Sequence, residues 1–235
     1  MRAVICYRAV VAAATFGLVF ARLVRPWAER WGATDDELVG ALAGDDLVAS
    51  ARYSTTRAIT IDAPVSAVWP WLVQIGQGRG GLYSYDWLEN IFQLGIHSAD
   101  AILPEFQHLA VGDIIQLDAG GNAPLTVALL EPERALVLQS RDIATGEPVT
   151  PGAYFGNGLA VTWAFIVQPA DERRTRLIVR FRSAWQPSLG ATLFQHLLLE
   201  PAHFIMERGM LLGIRQRAEG SGVAGTETAA SRLAA

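Results

Sequence analysis

From Leu159 to Trp185 the chain repeats one pattern twice. Leu159, Val161, Trp163, Phe165 and Val167 alternate with their neighbours, and after the polar ADERR turn Leu177, Val179, Phe181, Ser183 and Trp185 do the same. A period of two marks a strand with one buried side, so the two rows predict an antiparallel hairpin sharing an apolar face. Arg176, Arg180 and Arg182 fall on the other side of the second strand, which is expected to be largely wet. A sheet with one greasy face needs a second layer to cover it.

That layer is expected from Ser188 to Glu219, a long helix rich in Leu, Phe and Met. Pro201 should kink it near Leu197, because proline has no N–H to offer that carbonyl. Upstream, DIIQLD, PLTVALLE and RALVLQS read as short strands joined by the turn-rich pieces DAGGNA and PER. TTRAITIDAP is an earlier strand that stops at Pro64. PVSAVWPWLVQI then reads as a helix with Val65, Val68, Trp69 and Leu72 on one face. After a glycine-rich bend comes a second short helix, YSYDWLENIF, then irregular chain through Pro104, and residues 141–158 form a long glycine- and proline-rich loop. The order is strand, two helices, a run of antiparallel strands and one long helix, an α+β layout in which a curved sheet and a helix can enclose a hollow.

Four stretches of this body resemble a known group. ITIDAPVSAVWPWLVQIG is similar to the opening strand and helix of the START-like, SRPBCC superfamily, and LAVGDIIQL and EPERALVL are similar to its later strand steps. EPAHFIMERGMLLGIRQRAE resembles the closing helix of its polyketide cyclase/dehydrase-like bacterial subgroup. The resemblance covers about residues 55–218. It implies a helix-grip fold with an apolar tunnel between sheet and helix for lipids, polyketides or other greasy molecules, and no common cofactor. Only some members of the group are enzymes, and no catalytic set of a known cyclase matches here residue by residue. Fold alone does not fix function.

The ends read differently. Residues 4–24 are largely apolar, with Ala9 to Ala21 free of charge, and this length just spans a bilayer if Arg8 and Arg22 snorkel. The segment 1–31 is therefore expected to be an uncleaved single-pass membrane anchor, with a cleaved signal peptide, an interfacial helix or a helix packed on the domain as alternatives. Arg22, Arg25 and Arg30 after the run, against Arg2 and Arg8 before it, tilt the domain toward the cytoplasm. Residues 32–54 read as a linker with at most one short helix, and 219–235 as a disordered tail. With 23 acidic and 19 basic residues, all of the latter Arg, the chain has no attraction for nucleic acid. Its single cysteine, Cys6, allows no internal disulfide and no cysteine-based zinc site.

Candidate site residues gather in two groups. Trp71, Trp163, Phe165, Phe181 and Trp185 are large aromatics that either line a ligand tunnel or fill a core, and Arg79, Tyr83 and Tyr85 could meet a ligand at its mouth. The stretch from Tyr83 to Glu105 is the densest polar cluster, also containing Asp86, Glu89, His97 and Asp100. If Asp86 or Glu105 stood beside His97, the pair could act as base and orienter next to a ketone. Otherwise these groups simply pin the loop. Gly76, Gly78 and Gly81 match G-x-G-x-x-G, but a helix precedes them where a dinucleotide site needs a strand, so a bend is expected. His196, Glu200, His203 and Glu207 share a helical stripe that reads as a water-facing edge, and no metal or cofactor site is expected. The function expected is binding of a hydrophobic small molecule between sheet and helix. A cyclase, aromatase or dehydratase-like enzyme and a protein-interaction module with a filled core are the alternatives.

Overall fold

A computed structural model describes residues 20–140, 159–185 and 188–233. After a π-helical turn at Phe20–Val24, the elements in chain order are α1 (Arg25–Glu29), α2 (Asp35–Val39), β1 (Tyr53–Ile61), α3 (Val65–Val73) and α4 (Asp86–Ile91). There follow β2 (Ile114–Gln116), β3 (Pro124–Glu131), β4 (Ala135–Ser140), β5 (Leu159–Pro169), β6 (Thr175–Trp185), α5 (Leu189–Phe194) and α6 (Glu200–Leu233). The six strands form one antiparallel sheet in the order β1-β6-β5-β4-β3-β2. The expected hairpin is β5 and β6, with Trp163 opposite Phe181 and Phe165 opposite Val179. The loop expected at 141–158 lies outside the described residues.

The inward rows bury Ile59, Phe165, Val167, Leu177 and Val179 against Met210, Leu211 and Ile214 of α6, with Trp71 and Leu72 of α3 closing one end. A helix laid across the concave face of a curved antiparallel sheet is the helix-grip arrangement, and the α+β expectation holds. The kink takes the form of a π-helical turn at Gln195–Leu199, immediately before Glu200 and Pro201. Proline cannot bond back to Leu197, so the ladder widens there. The helix then continues to Leu233, through the segment read as a tail.

The other face of the sheet is not wet. Ala58, Val137, Ala164, Ile166 and Ile178 are buried there beneath Ala33, Leu42, Ala43 and Leu47. The three arginines expected to meet water instead clasp this covering segment. Arg176 forks onto the Glu37 carboxylate at 2.7 Å and reaches the Gly32 carbonyl, while Arg180 bonds the carbonyls of Glu37, Leu38 and Gly40 and the Asp45 carboxylate. Arg182 reaches the carbonyls of Val48 and Ala49. Guanidinium forks have enough donors to hold several carbonyls at once, which fixes a segment with little regular structure of its own.

The single-pass membrane assignment, with its transmembrane helix and cytoplasm-facing domain, is corrected. Residues 1–19 of the expected span lie outside the described residues. Among the described residues no helix is long and apolar enough to cross a membrane. What is described of the expected span is the short turn at Phe20–Val24, and α1 after it is tied to the domain, with Arg25 Nε 2.9 Å from Glu200 Oε2 and Trp27 edge-on to Phe204.

Candidate functional site

A partly open cavity of about 200 Å³ lies between the sheet and α6. Its walls come from Val161 and Trp163 of β5, Phe181 of β6, Leu117 to Leu125 around the β2–β3 turn, Met206 and Met210 of α6, and Leu82 to Leu94 around α4. These walls are almost wholly apolar. A dry cavity of roughly 150 Å³ suffices for a benzene-sized molecule, so this one has the volume of a single ring with a short substituent. A second hollow of about 250 Å³ lies outside the grip, between α1 and the start of α6, beside Arg25, Glu29 and Glu200.

The segment bearing Leu82, Ser84 and Glu89 is drawn onto α6 at two small residues. A Cβ on Gly213 would come 1.9 Å from the Tyr83 carbonyl oxygen, and one on Gly209 would come 2.8 Å from the Tyr85 ring. The loop after α4 is then pinned back. Asp86 accepts hydrogen bonds from the Ser98 backbone N–H (2.8 Å) and hydroxyl (2.6 Å), and Asn90 exchanges two with the Ile96 backbone. The glycine bend before it is closed by Gly76 and Gly81, which exchange N–H···O bonds at 2.9 Å. A Cβ at Gly81 would meet the backbone of His97 and Ser98. The bend is structural.

Two carboxyls border this cavity in opposite states. Glu207 is buried at the centre of a polar knot. Arg57 Nη1 donates to it, Trp163 Nε1 donates to its Oε1 at 2.8 Å, and His203 Nε2 lies 3.3 Å from the same oxygen. Arg57 is itself fully buried, with Nε bonded to the Ala28 carbonyl at 2.7 Å and Nη1 3.3 Å from His203 Nδ1. Burial alone would raise the Glu207 carboxyl, but His203 and Arg57 outweigh it and hold it down at about 2. Glu89 has no such company. It is fully buried, neither carboxyl oxygen has a hydrogen-bond partner, and it forms no ion pair among the described residues. Burial raises it to about 7, Asp86 adds to the rise, and the nearby Ser84 hydroxyl opposes it without making a bond of ordinary geometry to either oxygen.

Of the aromatic candidates, Trp163 and Phe181 line the cavity. Trp71, Phe165 and Trp185 are buried, Trp71 edge-on to Tyr83 at 5.7 Å and Trp185 near His196. Tyr83 sits in the core and Tyr85 is part-exposed against Gly209. Arg79 donates to the carbonyls of Val73 and Phe106 and stacks on the Phe106 ring. Asp86 is committed to Ser98, while His97 and Glu105 are exposed, so none of the three borders the cavity. The stripe read as water-facing is turned inward: Glu200 and Glu207 are buried, whereas the large apolar side chains Phe194, Leu198 and Ile205 opposite it are exposed. Among the described residues no cluster of acidic, histidine or cysteine side chains could hold a metal ion.

This is a helix-grip fold. No family model matches the chain, and no curated protein matches it. Solved structures similar to it include a conserved protein from Geobacillus kaustophilus, 14% identical with a TM-score of 0.42 over 72% of this chain and 97% of that one. Norcoclaurine synthase from Thalictrum flavum is 13% identical with a TM-score of 0.40, covering 75% of this chain and 92% of its own. An aromatase/cyclase from a Streptomyces species is 13% identical with a TM-score of 0.36, covering 71% and 93%.

Proposed function

We propose that this helix-grip protein binds a compact hydrophobic molecule in the cavity between its sheet and α6. The supporting observation is the cavity itself, bounded by Leu82, Leu125, Val161, Trp163, Phe181 and Met210 in a place where a closed core would have buried those side chains against one another. Burying apolar surface there contributes roughly 25 cal/mol per Å² before the costs of binding. The enclosed volume favours a ring-sized guest, or the ring-sized end of a longer one, over a whole polycyclic molecule. Calorimetric titration of the purified protein with indole tests the reading. Binding is expected in the wild type and loss of it in Ala123→Phe, which puts a ring into the cavity from its rim. Equal binding by both proteins refutes the site.

A second reading, a cyclase- or dehydratase-like enzyme, is favoured by the pair of carboxyls. Two acids lining one cavity, one at about 7 and the other at about 2, is the divergence that acid–base sites exploit. Glu89 would then be the group that moves the proton, and Glu207 would stay ionised. Exchange of the methyl protons of acetophenone in heavy water measures it. Exchange above the buffer rate that disappears in Glu89→Gln supports an enzyme, and a buffer-level rate in the wild type rejects it.

A further inference from the structure

We propose that the guest of this cavity is a small hydrophobic amine, and that the Glu89 carboxylate is the group that receives its ammonium end. The proposal rests on the binding reading above and adds the chemical class of the guest. It begins from an unpaired acid. Buried polar groups in folded proteins are nearly always hydrogen-bonded, and a buried charge is paired. Glu89 breaks this rule at the edge of a hollow, with both oxygens unpartnered and shielded from solvent.

The surroundings select the charge of that occupant. On its own helix Glu89 has Asp86, a second acid, which acts on it with the same sign. Across the cavity, α6 contributes His203 and Glu207, and behind them β1 contributes Arg57. Arg57 does not itself line the cavity, and its charge is already matched by Glu207, with His203 and the Ala28 carbonyl beside its Nη1 and Nε and only its buried Nη2 left without a partner. The wall therefore offers no spare cation to an anionic guest and one uncompensated acid to a cationic one. Trp163 and Phe181 line the cavity and bring no charge of either sign to it. A neutral ring would satisfy the apolar walls and leave Glu89 with the Ser84 hydroxyl as its one nearby donor and no countercharge. A primary ammonium supplies donors and countercharge together.

Benzylamine and benzyl alcohol make the test, because they have the same shape and differ in charge. Both are titrated into the full-length protein by calorimetry between pH 5.5 and 8.5, with wild type and Glu89→Gln. At pH 8 the amine should bind about tenfold tighter than the alcohol, the margin of one charge-assisted contact. Since the contact needs the carboxylate, that margin should collapse as pH falls through 7, where Glu89 takes up its proton. In Glu89→Gln the margin should vanish at every pH while the alcohol still binds. Equal affinities in the wild type at pH 8, or an alcohol that gains on acidification, overturn the amine assignment and leave the cavity reading standing. No binding of either compound sinks the cavity reading itself. Should Glu89→Gln fail to fold, the wild-type pH profile decides alone.

Discussion

Replacing Arg57 by Met gives the sharpest test of how this interior is held together. Arg57 and Glu207 are 0% and 1% exposed, so the variant strands a carboxylate inside the protein with His203 and Trp163 as its remaining partners. Breaking a buried pair from one side costs about 3–5 kcal/mol, because the abandoned charge keeps its desolvation penalty. The protonation of Glu207 reports on the whole knot, His203 included, not on Arg57 alone. The Glu207 folded value of about 2 lies below the ordinary 4.5, so its stabilising effect is fully present above pH 4.5 and is lost as pH falls toward 2. At about 1.4 kcal/mol per pH unit, that interval amounts to about 3 kcal/mol. For a chain of 235 residues the roughly 3–5 kcal/mol expected from removing Arg57 translates into a melting temperature lower by roughly 6–20 °C at pH 7. Scanning calorimetry measures it. Arg57→Met combined with Glu207→Leu should recover most of the loss, since an apolar pair in place of a buried ion pair is often neutral. A single variant that melts within about 1 kcal/mol of wild type, or a double variant whose loss is the sum of the singles, refutes the idea that this pair is a closed electrostatic unit.

Glu89 has the opposite sign, since its folded value of about 7 stands above the ordinary 4.5. Its burial therefore costs nothing below pH 4.5, costs progressively more as pH rises toward 7, and is constant beyond. Glu89→Gln should stabilise the protein at pH 8 by roughly 1–3 kcal/mol and leave it unchanged at pH 4.5, read from melting curves at the two pH values. Gly213→Ala should destabilise by about 1–3 kcal/mol in urea unfolding, because the new methyl meets a backbone oxygen that cannot swing aside. A variant indistinguishable from wild type would show that the Tyr83 segment is not packed against α6 as described.

The sheet was legible because its evidence is local. The rows at 159–167 and 177–185 carry their period in adjacent residues, and their pairing through a short turn needs no distant information. What failed depended on partners far away in the chain. Glu207 was placed toward water because its stripe is polar, yet Arg57 lies 150 residues before it and Trp163 44 residues before it, and neither spacing leaves a local trace. The π-helical turn at Gln195–Leu199 added to the error, since a stripe drawn at 100° per residue slips in phase across it. A usable signal did exist. Glu207 stands three and seven residues before Met210 and Ile214, on the face that packs into the sheet. Likewise Glu89 was one acid among several between Tyr83 and Glu105. Its isolation is visible only once α4 is folded, with Trp87 and Ile91 turned outward and the carboxyl turned in. The arginines of β6 were misplaced for a related reason: the chain that covers them precedes β1 and looks like a linker.

That clasp has a consequence for how freely the covering segment can change. Most of the oxygens that Arg176, Arg180 and Arg182 grip between residues 32 and 49 are peptide carbonyls, which every amino acid carries. Apart from the carboxylates at Glu37 and Asp45, the Thr34 cap, the apolar side chains facing the sheet, and Gly32 and Gly44, whose positive φ and close approach to Ala58 and Val137 leave no room for a side chain, the attachment does not depend on side-chain identity. The specificity resides in the three cations, where lysine, with a single ammonium in place of a fork, could not span the same set of acceptors.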